Sequence, residues 1–346
     1  MSHKPLHIAV FGAGSIGCYL GGRLATVANV TLIGRHARMA LLRDQGMILS
    51  SGQQPSRRVP PTALRIETEP QAASEADFVL MTVKSADTVT AADSLAPHLE
   101  SNAVVCSFQN GLHNAALLRA RLRGHSVLAG MVPYNVLQTE PGHFHQGSGG
   151  ALMLDNTPDA QPLAAALRQA GLAVQLRSDM HAVQHGKFLM NLNNAINALS
   201  GLPLRHQLEQ RAFRICLAMS QQEALAAFRA RGITPARITL VPPALTPWLL
   251  KLPDSIFRPI AAKSLAIDAQ ARSSMWEDLQ RGRATEIDSL QGEVVAMATK
   301  YSMSSSVSAR IVQLVKLAEA ASPIRRESWS GDELLAELRI SDRGHY

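Results

Sequence analysis

A glycine-rich turn between an apolar run and an apolar helical segment constrains this chain more than any other feature. The letters HIAVF at 7–11 are followed by GAGSIG. In this pattern the first glycine permits a tight turn, the second lets a pyrophosphate approach the backbone, and the third allows close helix–strand packing. The sequence therefore predicts a dinucleotide-binding turn, the alternative being a purely structural glycine turn. The candidate cofactor contacts are Gly12, Ala13, Gly14, Ser15, Ile16 and Gly17.

The pattern of hydrophobic residues along the chain changes near residue 178. Before it, continuous apolar runs alternate with helical segments, which is typical of a parallel sheet covered on both faces. The predicted strands are 7–11, 30–33, 77–83, 103–108 and 127–132, with edge strands at 152–154 and 173–176 and helices at 17–28 and 159–169. After it, helical periodicity predicts helices at 180–199, 209–231, 261–280 and 286–301. We expect an α/β fold: an N-terminal Rossmann-type parallel-sheet domain (1–178) and an all-helical C-terminal domain (179–346).

Length and charge agree with this division. At about 150 residues per domain, 346 residues predict about two domains. The net charge of +7 favours anionic partners, but a scarcity of aromatics (4%) and of long Lys/Arg runs argues against nucleic acid. The pair Arg57–Arg58 is interpreted as a solvated loop. Three scattered cysteines suit the cytoplasm, and no apolar run is long enough for a membrane span.

Two C-terminal segments carry weaker expectations. Prolines punctuate 242–260, which predicts a connection with short helical pieces rather than one straight helix. The polar tail after Ser322 is expected to pack loosely.

The end of the second predicted strand bears on the choice of cofactor. NAD sites usually carry an acidic residue there, which accepts from the ribose 2′-hydroxyl. This chain has Gly34-Arg35 instead, with Arg38 one turn later. A guanidinium suits a 2′-phosphate, so the pattern predicts NADP(H), the alternative being an exposed arginine at a strand end.

A polar stripe marks the first predicted helix of the second half. At about 100° per residue, Lys187, Asn191 and Asn194 fall within about 60° of one another. The aliphatic residues Leu189, Leu192, Ile196 and Leu199 fall on the opposite side. Asparagine is a poor helix former, so its repetition indicates that the amides are used as donors and acceptors. The alternative is a solvated helix face.

For several other polar residues, a functional role and a purely structural or solvent-exposed role are both open. Lys84 and Asn110 each follow a predicted strand, where α/β sheets bind ligands, but an exposed loop lysine and an Asn-Gly turn are the alternatives. Thr285 fits a helix N-cap, with Glu286 favoured in the first turn by the helix dipole. His181 and His185 lack a third ligand, so no metal site is predicted.

Taken in order, these motifs resemble the ketopantoate reductase family along nearly the whole chain. The matching pieces are VFGAGSIG, the arginine after the second strand, VKSADT, QNG, GKFLMNLNNAINAL, SSMWEDL and GRATEID. The Lys-Asn helix, SSM and TEID together are more specific than the glycine motif. The resemblance implies a fold like that of 6-phosphogluconate dehydrogenase, and reduction of the 2-keto carbon of ketopantoate by NADPH.

The resemblance also implies roles for individual residues. Lys187 would be the general acid, protonated without special tuning because an ordinary lysine has a pKa of about 10.4. Asn191 and Asn194 would bind and orient the substrate, and Ser274 would bind its carboxylate. Glu286 would accept from a substrate hydroxyl or orient the cofactor. Lys84 and Asn110 would line the cofactor side, and the substrate would lie in a cleft between the domains.

Three readings of function stay open at this point. The first is an NADP-dependent reductase of a 2-oxo acid, with ketopantoate favoured; another 2-oxo acid stays open because the added segment 242–260 could reshape the substrate pocket. The second is a different dehydrogenase of related architecture that acts on an amino-acid-derived or phosphorylated substrate. The third is a nucleotide-sensing protein without turnover. The expected partner is a small 2-oxo acid, with no nucleic acid and no membrane, and a homodimer is open.

Overall fold

The computed structural model describes residues 5–52, 54–262, 271–322 and 328–343. The chain divides into two compact units, Met1–Met180 and His181–Tyr346. In the described part of the chain, no helix is both long enough and apolar enough to cross a membrane.

Unit 1 contains two sheets and five helices. Its strands are β1 (His7–Phe11), β2 (Asn29–Ile33), β3 (Met47–Ser51), β4 (Gln54–Val59), β5 (Arg65–Glu67), β6 (Phe78–Met81), β7 (Val104–Ser107), β8 (Ser126–Met131), β9 (Val136–Glu140), β10 (His143–Gln146), β11 (Leu152–Asp155) and β12 (Val174–Arg177). Its helices are α1 (Ser15–Leu24), α2 (His36–Gln45), α3 (Thr88–Leu95), α4 (Asn114–Arg121) and α5 (Gln161–Gln169).

The main sheet has eight strands in the order β12-β11-β8-β7-β6-β1-β2-β5. Its central strands are parallel and almost wholly buried, as the continuous apolar runs predicted. The N-terminal Rossmann-type sheet is therefore confirmed, with one correction. Strand β11 runs antiparallel to β8, because the chain leaves the carboxyl end of β8 and returns at that same end without a crossover.

A second, four-stranded sheet in the order β4-β3-β10-β9 was not predicted. Its inner face, with Leu49 and Phe144, packs into the same core as α1, but each strand is short and mostly polar outside that face. The interpretation of Arg57–Arg58 as a loop was wrong, since both residues pair with β3 within β4. Both arginines are exposed, as their charge predicted. Their charge did not, however, indicate an irregular backbone, because exposed edge strands also carry charged residues.

Unit 2 is helical in its described part. The helices are α6 (Met180–Asn191), α7 (Asn193–Ser200), α8 (Leu204–Glu209), α9 (Arg211–Ala230), α10 (Thr246–Lys251), α11 (Asp254–Ala261), α12 (Ser274–Gln280), α13 (Gln291–Lys300), α14 (Ser306–Ala320) and α15 (Gly331–Arg343). The all-helical second half is thereby confirmed. The proline-punctuated segment forms a 3-10 turn (Pro243–Leu245) followed by α10 and α11, which are short helical pieces as predicted.

Three predictions for unit 2 need correction. The helix predicted at 180–199 is interrupted at Leu192 and forms α6 and α7. The helix predicted at 261–280 is not continuous, because residues 271–273 are extended before α12; residues 263–270 lie outside the described ones. The tail does not pack loosely, since α15 buries Leu334 and Leu338 completely; only residues 323–327 and 344–346 of it fall outside the described part.

Candidate functional site

The glycine turn of unit 1 is held against the ends of two strands. The N–H groups of Gly12 and Ala13 both donate to the carbonyl of Ile33, at the end of β2, with N···O distances of 3.0 Å. The Thr82 hydroxyl, just beyond β6, donates to the carbonyl of Gly12 at 2.8 Å. Helix α1 begins at Ser15, and no side chain caps it. The first N–H groups of the helix therefore have no capping side chain as an acceptor.

The three glycines of the motif have different reasons to be glycine. Gly12 has a φ of +95°, and a Cβ there would lie 2.6 Å from Val83 N. A Cβ on Gly17 would lie 2.6 Å from Thr82 Oγ1, so that glycine lets α1 approach the sheet. A Cβ on Gly14 would meet no protein atom closer than Gly12 O at 3.7 Å. Because no side chain among the described residues fills the space beside Gly14, its openness fits a pyrophosphate lying against the backbone.

Lys84 and Asn110 lie at the carboxyl edge of neighbouring strands. Strand β1 lies between β2 and β6 in the main sheet, and β7 follows β6, so the loops after all four strands share that edge. The chain reverses its direction of strand addition between β1 and β6, the point at which such sheets bind ligands. The predicted cofactor residues of unit 1 are therefore brought to one edge.

A polar network joins the loops that carry these two residues. The Ser85 hydroxyl donates to the carbonyl of Asn110 at 2.7 Å, and the Gln109 amide donates to the carbonyl of Val83 at 3.1 Å. The buried Asn114 amide donates to Ser85 Oγ at 3.0 Å and also to the Asn110 carbonyl. The network fixes the backbone of both loops, so Asn110 belongs to more than a simple Asn-Gly turn.

The surroundings of Arg35 bear on the cofactor. Arg35 is exposed at the N-terminus of α2, and its guanidinium has no hydrogen-bond or ion-pair partner among the described residues. An acid does stand beside β2, since Glu67 pairs with Ile33, but its carboxylate contacts Arg65 (3.1 Å) and Arg43 (3.8 Å). Arg38 turns inward instead, donating to Gln138 Oε1 at 3.0 Å and to Ala13 O at 3.3 Å. Arg35 is thus the cation available to an added phosphate.

The lysine of unit 2 lies on α6 in partly buried surroundings. Lys187 is half-buried, and desolvation lowers the pKa of its ammonium from 10.5 to about 8. The expectation that this lysine is an ordinary one was therefore wrong. Its ammonium is still mostly protonated at neutral pH, but it releases a proton more readily than a surface lysine does.

The stripe around Lys187 is only partly as predicted. The four aliphatic residues of the opposite side are all buried, as expected, but so is Asn191. Asn194 is half-buried, and its side-chain amide makes no hydrogen bond to another described residue. Of the predicted pair, Asn194 is thus the amide left available to a ligand.

The other two asparagines of this segment are used inside the protein. Asn193 and Gln207 exchange two amide hydrogen bonds at 3.1 Å. Asn197 donates to the carbonyl of Leu202 at 2.9 Å and accepts from the N–H of Ser273, also at 2.9 Å. The prediction that the asparagine amides are used as donors and acceptors is confirmed here, for a structural purpose.

The Ser-Ser-Met motif docks on α7. Ser273 is the N-cap of α12: its hydroxyl accepts from Trp276 N–H at 3.1 Å and donates to the carbonyl of Asn194 at 3.0 Å. Ser274, the first residue of the helix, is exposed, and its hydroxyl has no partner among the described residues. The helices α6, α7 and α12 therefore meet near the joint between α6 and α7, and they carry Lys187, Asn194 and Ser274.

Glu286 lies in the segment that leads into α13. The Thr285 hydroxyl accepts from Ile287 N–H at 3.2 Å. The N-cap of the short 3-10 turn that follows (Ile287–Ser289) is Glu286, so the N-cap interpretation of Thr285 was wrong. Glu286 immediately precedes this turn and is half-buried. The turn leads into α13, whose Gln291 donates from Nε2 to the carbonyl of Leu192 at 2.8 Å.

Sequence reasoning missed the residues that hold the site rather than face a ligand. In unit 1 these are Thr82, Ser85, Gln109 and Asn114; in unit 2 they are Gln207, Gln221 and Gln291. The motifs VKSADT and QNG contained two of the first group, Ser85 and Gln109. A lone glutamine within a helix gives no signal in a single sequence, because exposed helices use glutamine freely.

Comparisons with known proteins agree along the chain. Residues 8–159 match the family model "Ketopantoate reductase PanE/ApbA", and residues 179–319 match that of its C-terminal domain. A 2-dehydropantoate 2-reductase of Halobacterium salinarum is 29% identical over 322 residues, which cover 91% of this chain and 99% of the relative.

Solved structures show the same fold. A PanE/ApbA family ketopantoate reductase from Ralstonia eutropha JMP134 aligns with a TM-score of 0.77 at 28% identity, over 91% of this chain and 99% of that one. A D-mandelate dehydrogenase solved with NADH and anilino(oxo)acetate aligns with a TM-score of 0.75 at 18% identity, with the same coverage. This second likeness concerns the fold alone.

Proposed function

The chain belongs to the ketopantoate reductase family, and on that premise we propose that it reduces 2-dehydropantoate (ketopantoate) to pantoate with NADPH. Family membership makes it an oxidoreductase that acts on a CH–OH group. The observation that carries the finer proposal is Lys187, a half-buried lysine of lowered pKa on α6, with the uncommitted amide of Asn194 on the helix that follows, α7.

In the proposed reaction the nicotinamide cofactor supplies a hydride to the 2-keto carbon. Lys187 donates a proton from its Nζ to the keto oxygen, which becomes the new hydroxyl, and its charge stabilises the developing alkoxide. Asn191 and Asn194 orient the substrate, and Ser274 hydrogen-bonds its carboxylate. Glu286 accepts from a substrate hydroxyl or orients the cofactor.

The cofactor contacts of the proposal belong to unit 1. The pyrophosphate lies on the turn from Gly12 to Gly17, where the space beside Gly14 and the uncapped N-terminus of α1 favour an anion. Lys84 and Asn110 line the nicotinamide side. Arg35 binds the 2′-phosphate, a role supported by its lack of a partner among the described residues and by the pairing of Glu67 with Arg43 and Arg65.

A second candidate, reduction of another 2-oxo acid, is favoured by the segment 242–260. This addition forms its own 3-10 turn and two helices, and it leaves Trp248 and Ile256 exposed.

The proposal of ketopantoate as the substrate also implies that the protein acts in the cytoplasm, in the synthesis of pantothenate and coenzyme A. A homodimer stays a prediction, which light scattering of the purified protein tests.

The experiment that tests the function is a substrate panel. The purified protein is mixed with NADPH and either ketopantoate or one of several other 2-oxo acids, and nicotinamide absorbance is followed. We expect the highest kcat/KM with ketopantoate. A higher value for another 2-oxo acid would select the second candidate, and no loss of absorbance with any acid would leave a nucleotide-sensing protein without turnover.

The matched variant for this panel is Lys187→Ala. It is expected to lower kcat by at least about 100-fold, the scale of a lost general acid, while leaving NADPH binding intact. Unchanged kcat would remove Lys187 from the proposed role.

Cofactor preference is tested separately by Arg35→Asp. The substitution replaces the unpartnered guanidinium by a carboxylate that repels a 2′-phosphate and can accept from a 2′-hydroxyl. We expect the ratio of kcat/KM for NADPH to that for NADH to fall by at least about 10-fold, a change of roughly 1.4 kcal/mol. Arg57→Asp, an exposed arginine in β4, is the control for net charge, and an equal fall in that variant would contradict the assignment.

A further inference from the structure

The helix that carries Lys187 is interrupted at a defined place. Helix α6 ends at Asn191 and α7 begins at Asn193, with Leu192 between them. In a continuous α-helix the carbonyl of Leu189 would accept from the N–H of residue 193. Here that carbonyl accepts from Gln221 Nε2 of α9 at 3.0 Å. The carbonyl of Leu192 accepts from Gln291 Nε2 of α13 at 2.8 Å. Side chains that enter a helical hydrogen-bond ladder are a known cause of a bend.

Both glutamines are held inside the protein at a cost. Gln291 is fully buried and Gln221 is 3% exposed. In each, the side-chain oxygen is buried and has no hydrogen-bond partner among the described residues. A buried polar atom without a partner destabilises a fold. An apolar side chain would fill either position without that cost, so the amide donors are the part of these residues that the structure uses.

The two sides of the interruption are held by different neighbours. Helix α6 packs through His185 and Phe188 on the ring of Phe228, at centroid distances of 4.7 and 5.8 Å. Helix α7 is held by the amide exchange of Asn193 with Gln207 and by the bond from Ser273 N–H to Asn197. Between the two sets of contacts lies the joint, where the two glutamines bind the carbonyls of Leu189 and Leu192.

We infer that Gln291 and Gln221 are positioning residues, whose amides hold the joint between α6 and α7 and thereby aim Lys187 and Asn194 at one substrate. The inference rests on the proposed function for its catalytic meaning. Neither glutamine touches a reacting atom in this scheme. Each acts through the helix carbonyl that it binds.

The variant that tests this is Gln291→Met, which keeps the length of the side chain and removes the donor. We expect kcat with the preferred 2-oxo acid to fall by at least about 10-fold. The KM for NADPH should stay within twofold, because the residues proposed to bind the pyrophosphate and the 2′-phosphate belong to unit 1. Gln221→Met should behave alike, and the double variant should lose less than the product of the two single losses, because both act on one joint.

A control separates positioning from loss of stability. Leu338→Ala removes fully buried volume from α15, a helix that carries no residue of the joint, and lowers the Tm. We expect it to keep the wild-type kcat at a comparable loss of Tm. If it loses kcat as Gln291→Met does, or if both methionine variants keep kcat, the inference is wrong. If Gln291→Met does not fold, Gln291→Asn, which keeps the amide but shortens its reach, carries the same expectation.

A second readout needs no turnover. Reactivity of Lys187 toward an acylating reagent, followed by peptide mass spectrometry across pH, reports the pKa of its ammonium directly. When the joint relaxes and Lys187 gains solvent, the midpoint should move upward from about 8 toward 10.5 in Gln291→Met and stay in place in Leu338→Ala. An unmoved midpoint in Gln291→Met overturns the inference even if no substrate is found, whereas failure of the substrate panel overturns only the proposed function.

Discussion

At the scale of single residues, burial decides what each candidate side chain can do. Lys187, Asn191 and Asn194 come from one stripe of the sequence, yet one is buried and two are half-buried. Helical periodicity predicted which side faces the core. It could not predict the interruption at Leu192, where glutamines far away in the chain bind the carbonyls of Leu189 and Leu192. The pKa of Lys187 could not be predicted either, because desolvation depends on packing from several elements.

The lowered pKa gives a pH dependence with a definite sign. A general acid must be protonated, so kcat/KM for reduction should fall as pH rises through about 8, well below the 10.5 of an ordinary lysine. A pH–rate profile from 6 to 10 checks this. A profile flat up to pH 10 would contradict the assignment.

Stability should change in the opposite direction over the same range. The folded state disfavours the charged lysine, so the full cost is present below pH 8 and is relieved as pH rises from about 8 toward 10.5. Lys187→Met should therefore raise the Tm at pH 7, and this gain should shrink at pH 10.

At the scale of elements, one buried arginine organises the proline-rich segment. Arg214 of α9 is fully buried and donates to the carbonyls of Leu208, Glu209, Leu250 and Leu252, and to Asp254 at 2.7 Å. Its guanidinium also lies 4.0 Å from the centre of the Phe257 ring. The prolines predicted short helical pieces here, but nothing in the sequence indicated which residue holds them together.

Replacing this arginine should be costly. Arg214→Met leaves four carbonyls without this donor, and we expect the free energy of unfolding to fall by at least about 3 kcal/mol. Arg211→Met is the matched control, since Arg211 is exposed on the same helix and donates only to Lys251 O; it should change stability by less than about 0.5 kcal/mol. Denaturant titration of both variants measures the difference, and equal losses would argue against the anchoring role.

At the scale of the whole molecule, the hydrophobic pattern of the sequence predicts the sheet domain and the helical domain. It does not predict peripheral elements such as β4 and α15. Strands buried on both faces, such as β1 and β7, read as continuous apolar runs and were predicted within one or two residues. Strand β4, with the letters QPSRRV, exposes most of its side chains and gives no such signal. Helix α15 was missed because its buried leucines are spaced among charges. Hydrophobic patterns thus predict the elements that lie inside the core and miss the elements that cover the core from outside.

The position of α1 between the two sheets has a consequence for motion. Gly21 faces Leu32 and Val10 of the main sheet, and Gly22 faces Met47 and Leu49 of the smaller one. Helices covered on two sides open only in large unfolding events, so the amides of α1 should be among the slowest in the molecule to exchange with solvent hydrogen. The N–H groups that we propose bind the pyrophosphate therefore belong to a rigid part of the chain. An incoming phosphate has little backbone to order, and the entropic cost of its capture is correspondingly small.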